Sequence, residues 1–213
     1  MNTTKQHLQE KYTTHCLEMG EKPKSVYAFC KAAAIEEQEF YAHYGSLDAI
    51  AIDLWAAFYT NAMDVLGKDK NFKKGTPKDK LLAFYFTFFE VLLLNRSYVL
   101  FALQEEKNTM TKMTAFKELR RHFKGFATEL IEEGNDDRSK WAQSPVQPFA
   151  EGAWVQLLFL MKFWINDRSA AFEKTDAAIE KSVQTVFALF DNGALDKLID
   201  FGKFLWSEKS TLV

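Results

Sequence analysis

The sequence predicts an all-α fold. Only 9 Gly and 4 Pro occur in 213 residues, too few for the many tight turns of a β fold, and 47% of the chain is hydrophobic, enough for a substantial core. Apolar residues recur at a spacing near 3.6 in one segment after another, and N-cap residues alternate with glycines that end the periodic runs.

Ser25 after Pro23, Ser46 before Leu47, Thr76 before Pro77 with Asp79 three residues on, and Ser144 before Pro145 are placed to open helices. Gly20, Gly45, Gly67, Gly134 and Gly193 are placed to close them. Between these marks run apolar stripes: Leu47, Ile50, Leu54, Phe58 and Val65; Ile179, Val183, Val186, Phe187 and Phe190; Leu195, Leu198, Ile199, Leu205 and Trp206. The expected helices are 4–19, 25–33, 36–43, 46–66, 77–94, 96–106, 109–133, 145–166, 175–191 and 194–207. Asn192-Gly193 has the composition of a hairpin turn, but its flanks have helical periodicity, so a helix end is expected there.

A formal net charge of −2 gives no global attraction to nucleic acid or an anionic surface, so any DNA contact must be local. Cys16 and Cys30 are too few for a disulfide framework, and MNTTKQHLQE lacks an apolar signal core; a cytoplasmic protein with reduced thiols is expected. Residues 81–103 have the length of a membrane span, yet Glu90, Asn95 and Arg96 stand at or near the centre, which favours a buried or cavity-lining helix. His7, His15, His43 and His122 are scattered, with no HExxH, CxxC, phosphate loop or nucleophile elbow, so neither an enzyme nor a cofactor is expected.

The first helices are short and tightly connected and the later ones long, which suggests a head at 1–45 and a helical body at 46–213. In the head, SVYAFCKAA and EEQEFYAHY meet around Ala34 and Ile35 with the spacing of a helix-turn-helix. That spacing alone favours a plain packing unit. The residues Ser25, Val26, Ala33, Ile35, Phe40, Tyr41, His43, Tyr44 and Ser46, however, resemble without a gap the signature of the TetR family. FWINDRSAAFEKTDAAIEKSVQTVFALF, residues 163–190, is similar to the ligand-binding and dimerisation domain of TetR-like proteins from Bacteroidetes-type bacteria.

The resemblance implies a ligand-responsive DNA-binding regulator, a repressor, that dimerises through 145–166 and 175–191 of each subunit. It implies operator contacts by Lys24, Ser25, Tyr27, Gln38, Tyr41 and His43. The chain departs from the family in the recognition helix, where Glu36, Glu37, Gln38 and Glu39 replace a small, polar or basic start, and at Leu47, where the family has a phosphate-contacting Lys. Residues 1–48 hold seven acidic side chains against five basic ones, which shrinks the counterion-release part of binding. Glu36 and Glu37 are also explained by the helix dipole, and Tyr41 and Tyr44 by packing.

Twenty Phe, seven Tyr and five Trp concentrate in 81–103 and 154–164. Phe84, Phe88 and Leu92 share one stripe, Tyr85 and Phe89 its neighbour, so the helix is apolar nearly all round and buried. In the family, the corresponding helices enclose a pocket. Phe84, Phe88, Asn95, Arg96, Trp154 and Phe159 are the expected contacts to a small apolar or lipid-like ligand, with Arg96 either meeting an acidic head group or pairing with Glu90. Two functions stay open: the repressor, and a TetR-like protein that has lost DNA binding and serves as a lipid-binding accessory, as in ubiquinone biosynthesis.

Overall fold

The helix ends follow the capping chemistry written in the sequence. The computed structural model describes residues 3–105, 113–136, 143 and 145–191, and among them there are helices and no strand. Thr4 accepts from the His7 N–H at 3.2 Å to open α1 (Lys5–Met19), which closes on Gly20 at φ 68. Ser25 does the same for α2 (Val26–Ala33), accepting from the Ala28 N–H at 3.1 Å; α3 (Glu37–Tyr41) follows. Ser46 accepts from the Ala49 N–H at 3.2 Å at the start of α4 (Leu47–Leu66).

A short α5 (Lys70–Lys74) precedes α6 (Pro77–Leu94) and α7 (Arg96–Glu105). At α6, Thr76 Oγ1 accepts from the Asp79 N–H at 3.2 Å and Asp79 Oδ2 accepts from the Thr76 N–H at 3.2 Å, a reciprocal box. The Thr76 hydroxyl, which also donates to Asp79, holds that carboxyl below the ordinary aspartate value. Then come α8 (Lys117–Asp136), α9 (Val146–Asn166), a 3-10 turn at Ala170–Phe172 and α10 (Glu173–Asp191).

Three sequence expectations are revised. Residues 70–74 form a helix, with Asp69 accepting from the Asn71 N–H at 2.8 Å, although five residues are too few to show a periodic stripe. Gly134 does not end a helix but lies within α8, which runs on to Asp136. The helix expected over 109–133 is interrupted: residues 113–115 are helical, a turn at Phe116 follows, and the regular helix resumes at Lys117, while a start at 109 lies outside the described residues. The caps assigned to Ser144 and Gly193 and the helix expected at 194–207 lie outside the described residues.

The chain forms two compact units, Met1–Leu66 with Thr87–Phe123 and Gly67–Phe86 with Lys124–Val213, so α6 and α8 each contribute to both. In the first, Leu8, Tyr12 and Cys16 line the buried face of α1 at helical spacing. Tyr12 meets Phe29 at 6.1 Å and Tyr98 at 6.4 Å, and Phe29 meets Phe40 at 5.9 Å, all edge-on. Trp55 packs edge-on against Phe58 and Phe116. The head helix α1 thus shares its core with α2, α4 and α7.

The long apolar run breaks at Asn95, where α6 and α7 meet at 86°. The Asn95 carbonyl accepts from the Val99 N–H at 3.0 Å and its side-chain amide donates to the Val91 carbonyl at 2.8 Å, so one residue closes α6 and opens α7. Among the described residues no single helix is long and apolar enough to cross a membrane.

In the second unit, Phe84 packs on Phe126 at 5.2 Å, and Leu157, Leu160, Met161 and Trp164 of α9 are buried together with Ile179 and Val183 of α10. The α9–α10 connection holds two non-glycine residues in the left-handed region, Ala171 at φ 49 and Phe172 at φ 60. Asp167 organises it. Its Oδ1 accepts from the Ser169 hydroxyl at 2.6 Å and the Ser169 N–H at 2.8 Å; its Oδ2 accepts from the Thr175 hydroxyl at 2.7 Å and the Thr175 N–H at 2.9 Å. The Phe172 ring leans on Trp164 at 6.0 Å.

These donors, the Ser169 hydroxyl foremost, outweigh burial and hold the Asp167 carboxyl far below the usual aspartate value. A depressed folded-state value means that the turn is stabilised above the unfolded value, roughly 3.9, and loses that stabilisation as pH falls below it. Asp167→Asn is therefore expected to lower the thermal midpoint by several degrees at neutral pH. The gap to the unaltered chain should narrow steadily as the pair is taken to pH values below the unfolded one, followed by circular dichroism.

Candidate nucleic-acid interface and apolar cavity

The turn between α2 and α3 is made by backbone geometry more than by side chains. Ala34 ends α2 in the left-handed region at φ 55, and the Ile35 N–H then donates to the Cys30 carbonyl at 2.9 Å. A small residue suits that position because a bulky or β-branched side chain would crowd its own backbone there. Ile35, Phe29 and Phe40 are buried and fix the angle between the two helices.

With the inner faces committed, the outer ones are free. Lys24, Ser25 and Gln38 are exposed, Tyr27 is 62% exposed and Tyr41 54%. Gln38 and Tyr41, three residues apart, lie on one face of α3. The packed pair thus presents five of the six expected DNA contacts at its surface. His43 is half-buried, with Nε2 2.7 Å from the Thr3 carbonyl oxygen. Tyr44 is buried and donates to Asp53 at 2.7 Å, so of the two tyrosines offered a packing role it is Tyr44 that takes it. Burial, reinforced by Asp53, pushes the Tyr44 hydroxyl well above its usual value. Glu36 is exposed, whereas Glu37 and Glu39 are half-buried.

The six expected ligand contacts are not gathered in one place. Phe84 belongs to the second unit and Phe88 to the first, and both are fully buried in packing. Asn95 is exposed, its amide spent on Val91, and Arg96 is half-buried at the start of α7. Trp154 is buried in the second unit, while Phe159 on the same helix is 57% exposed, beside an open groove that includes Lys162, Arg168 and Lys174.

The second unit does contain an apolar cavity. It measures about 60 Å³ and is lined by Leu81, Ala127, Leu130, Ile131, Gly134, Phe149, Ala153, Val186 and Phe187. Its walls come from α6, α8, α9 and α10. Beside it Ala127, Ile131, Phe149 and Ala150 form a buried apolar cluster against which Ala153 and Val186 pack. Aromatic counting missed these residues. Among the described residues no group of three His, Cys, Asp or Glu side chains is placed to hold a metal ion.

Residues 80–205 match the family described as "Tetracyclin repressor-like, C-terminal domain", more than half of the chain. The chain belongs to the TetR family. The TetR fold extends over the head as well. A protein from Syntrophomonas wolfei str. Goettingen named as a TetR-family transcriptional regulator superposes with TM-score 0.64 over 88% of this chain and 95% of its own, at 15% identity. One from Shewanella sp. PV-4, similarly named, superposes with TM-score 0.56 over 90% of this chain and 97% of its own, also at 15% identity. No curated protein matches the sequence.

The size of the cavity sets a condition on any occupant. Pockets for drug-sized ligands run to roughly 300–1,000 Å³, so a lipid-like molecule enters this one only by moving a wall. Filling it covalently has a defined consequence. Ala153→Val adds apolar contact at the wall of this half-open pocket and is expected to stabilise the chain by less than about 1 kcal/mol. It should also weaken uptake of a small apolar fluorophore such as 1-aminoanthracene by about tenfold, both read in one titration series.

Proposed function

We propose that this TetR-type transcriptional regulator is a ligand-responsive repressor acting in the cytoplasm as a homodimer, with no enzymatic step. Residues 1–45 read a pseudo-palindromic operator, and residues 46–213 bind an apolar ligand and the second subunit. The observation that carries the reading is the helix-turn-helix itself. A buried Phe29–Phe40 contact and a left-handed Ala34 leave Lys24, Ser25, Tyr27, Gln38 and Tyr41 exposed on the packed α2–α3 pair.

Ligand control rests on the cavity: occupancy displaces a wall built from α6, α8, α9 and α10, and so changes the spacing of two heads in a dimer. Dimerisation through α9 and α10 is supported by the outer face of α9, where Gly152 is exposed, Val155 is 62% exposed and Phe159 57%. Such a stripe is expensive to leave in water and is covered by a second copy. Phe159→Glu should raise the dimer dissociation constant about a hundredfold, measured by analytical ultracentrifugation.

The acidic start of α3 supports the second reading, a TetR-like protein that has given up DNA for a lipid-binding role. Fluorescence anisotropy with a duplex selected by the protein from a randomised pool, over a salt series beside a scrambled duplex, separates the two. Specific binding that weakens with salt is expected. Absence of binding at low salt overturns the repressor and turns attention to co-purified lipids. In the same assay Glu36→Ser with Glu37→Lys is expected to strengthen nonspecific binding about tenfold by removing two carboxylates and adding a cation.

A further inference from the structure

His43 is turned away from the role its residue type suggests. Its Nε2 lies 2.7 Å from the Thr3 carbonyl oxygen, and because a carbonyl only accepts, the imidazole N–H donates there. Thr3 Oγ1 donates in turn to Glu39 Oε2 at 2.8 Å. One residue further on, Thr4 caps α1, and Lys5 reaches Asp53 of α4 at 3.3 Å. Residues 3–5 therefore form a strap that runs from the C-terminal end of α3 into α1 and on to α4.

We infer that His43 is a positioning residue that fastens this strap, and that the strap in turn engages Glu39 and sets the pose of α3. The same N–H cannot also be given to a DNA phosphate. Glu39, one of three glutamates in a helix that has to approach phosphates, is half-buried and receives the Thr3 hydroxyl, which keeps its carboxylate off the open face. The inference rests on the DNA-binding reading for its consequence, but its geometry can be tested without it.

The test compares full-length His43→Gln, His43→Leu and Thr3→Val with the unaltered protein. Affinity for a duplex selected from a randomised pool is measured by anisotropy, and hydrogen exchange of the amides of residues 5–8 by mass spectrometry. Gln keeps a donor in nearly the same place, so His43→Gln should retain both affinity and protection. His43→Leu should lose about tenfold in affinity, the worth of one well-placed hydrogen bond, along with the protection. Thr3→Val, ahead of the first helix where folding is not at stake, should lower affinity about threefold by releasing Glu39.

If His43→Gln binds DNA as poorly as His43→Leu, the imidazole itself is used on the duplex and the inference falls. It also falls if His43→Leu protects residues 5–8 as well as the unaltered chain does, or if Thr3→Val leaves affinity unchanged. Should the unaltered protein select no duplex at all, the repressor reading fails. The exchange comparison of Gln with Leu then still decides whether His43 holds the strap.

Discussion

The pose of the recognition helix depends on Asp53. Its Oδ2 accepts from the Tyr44 hydroxyl at 2.7 Å, from Gln9 at 3.2 Å and from Lys5 at 3.3 Å, so one carboxylate ties α1, the turn after α3 and the body of α4 together. The contributions are unequal. The Lys5 pair is largely exposed and contributes at most about 1 kcal/mol, whereas the short bond comes from the buried Tyr44 hydroxyl and is the stronger of the two. Gln9 also donates to the Tyr44 oxygen at 3.1 Å, closing a triangle that leaves the tyrosine no alternative partner of equal quality. A helix of only five residues, α3, has too little of its own hydrogen bonding to hold an orientation. It borrows one from this network and from the Phe29–Phe40 contact.

The second unit is built on the opposite principle. Among its described residues the inner surface is largely apolar, and the polar Asp167 turn supports two strained residues between α9 and α10. A half-open apolar pocket of about 60 Å³ lies among these helices. An apolar guest placed there would touch α9 and α10. The outer face of α9 carries the exposed Val155 and Phe159.

How much of this could be read from residues alone differs between the two levels. The caps were legible because a side-chain oxygen two or three residues ahead of an orphan N–H is a local matter, and Ser25, Ser46 and Thr76 with Asp79 all act as read. Burial of Phe84 and Phe88 was legible for the same reason, since a helix apolar all round must be covered. What covers it was not legible. Asn95 looked like a ligand group inside an apolar run, but its amide and carbonyl are spent on the bend between α6 and α7. His43 matched a phosphate-contacting type, but its partner, Thr3, is forty residues away in sequence. The cavity was invisible because it lies between four helices, and the pattern along any one helix does not show where several leave space between them.

The acidic head then has a physical reading that does not require it to be inert. Of the three glutamates around α3, Glu39 is engaged by Thr3, and Glu36 and Glu37 sit at the helix N-terminus, where the dipole favours negative charge. What remains on the open face is Gln38 and Tyr41, neutral groups able to donate and accept. A surface of this kind would gain little from counterion release on a duplex, and its affinity would have to come from hydrogen bonds to base edges and backbone. Such bonds are worth forming only if their geometry is held, because each donor left unpaired in the groove costs as much as a good contact gains. A head poor in cations therefore needs a firmer frame than a basic one, and the Asp53 triangle and the His43–Thr3 strap supply it.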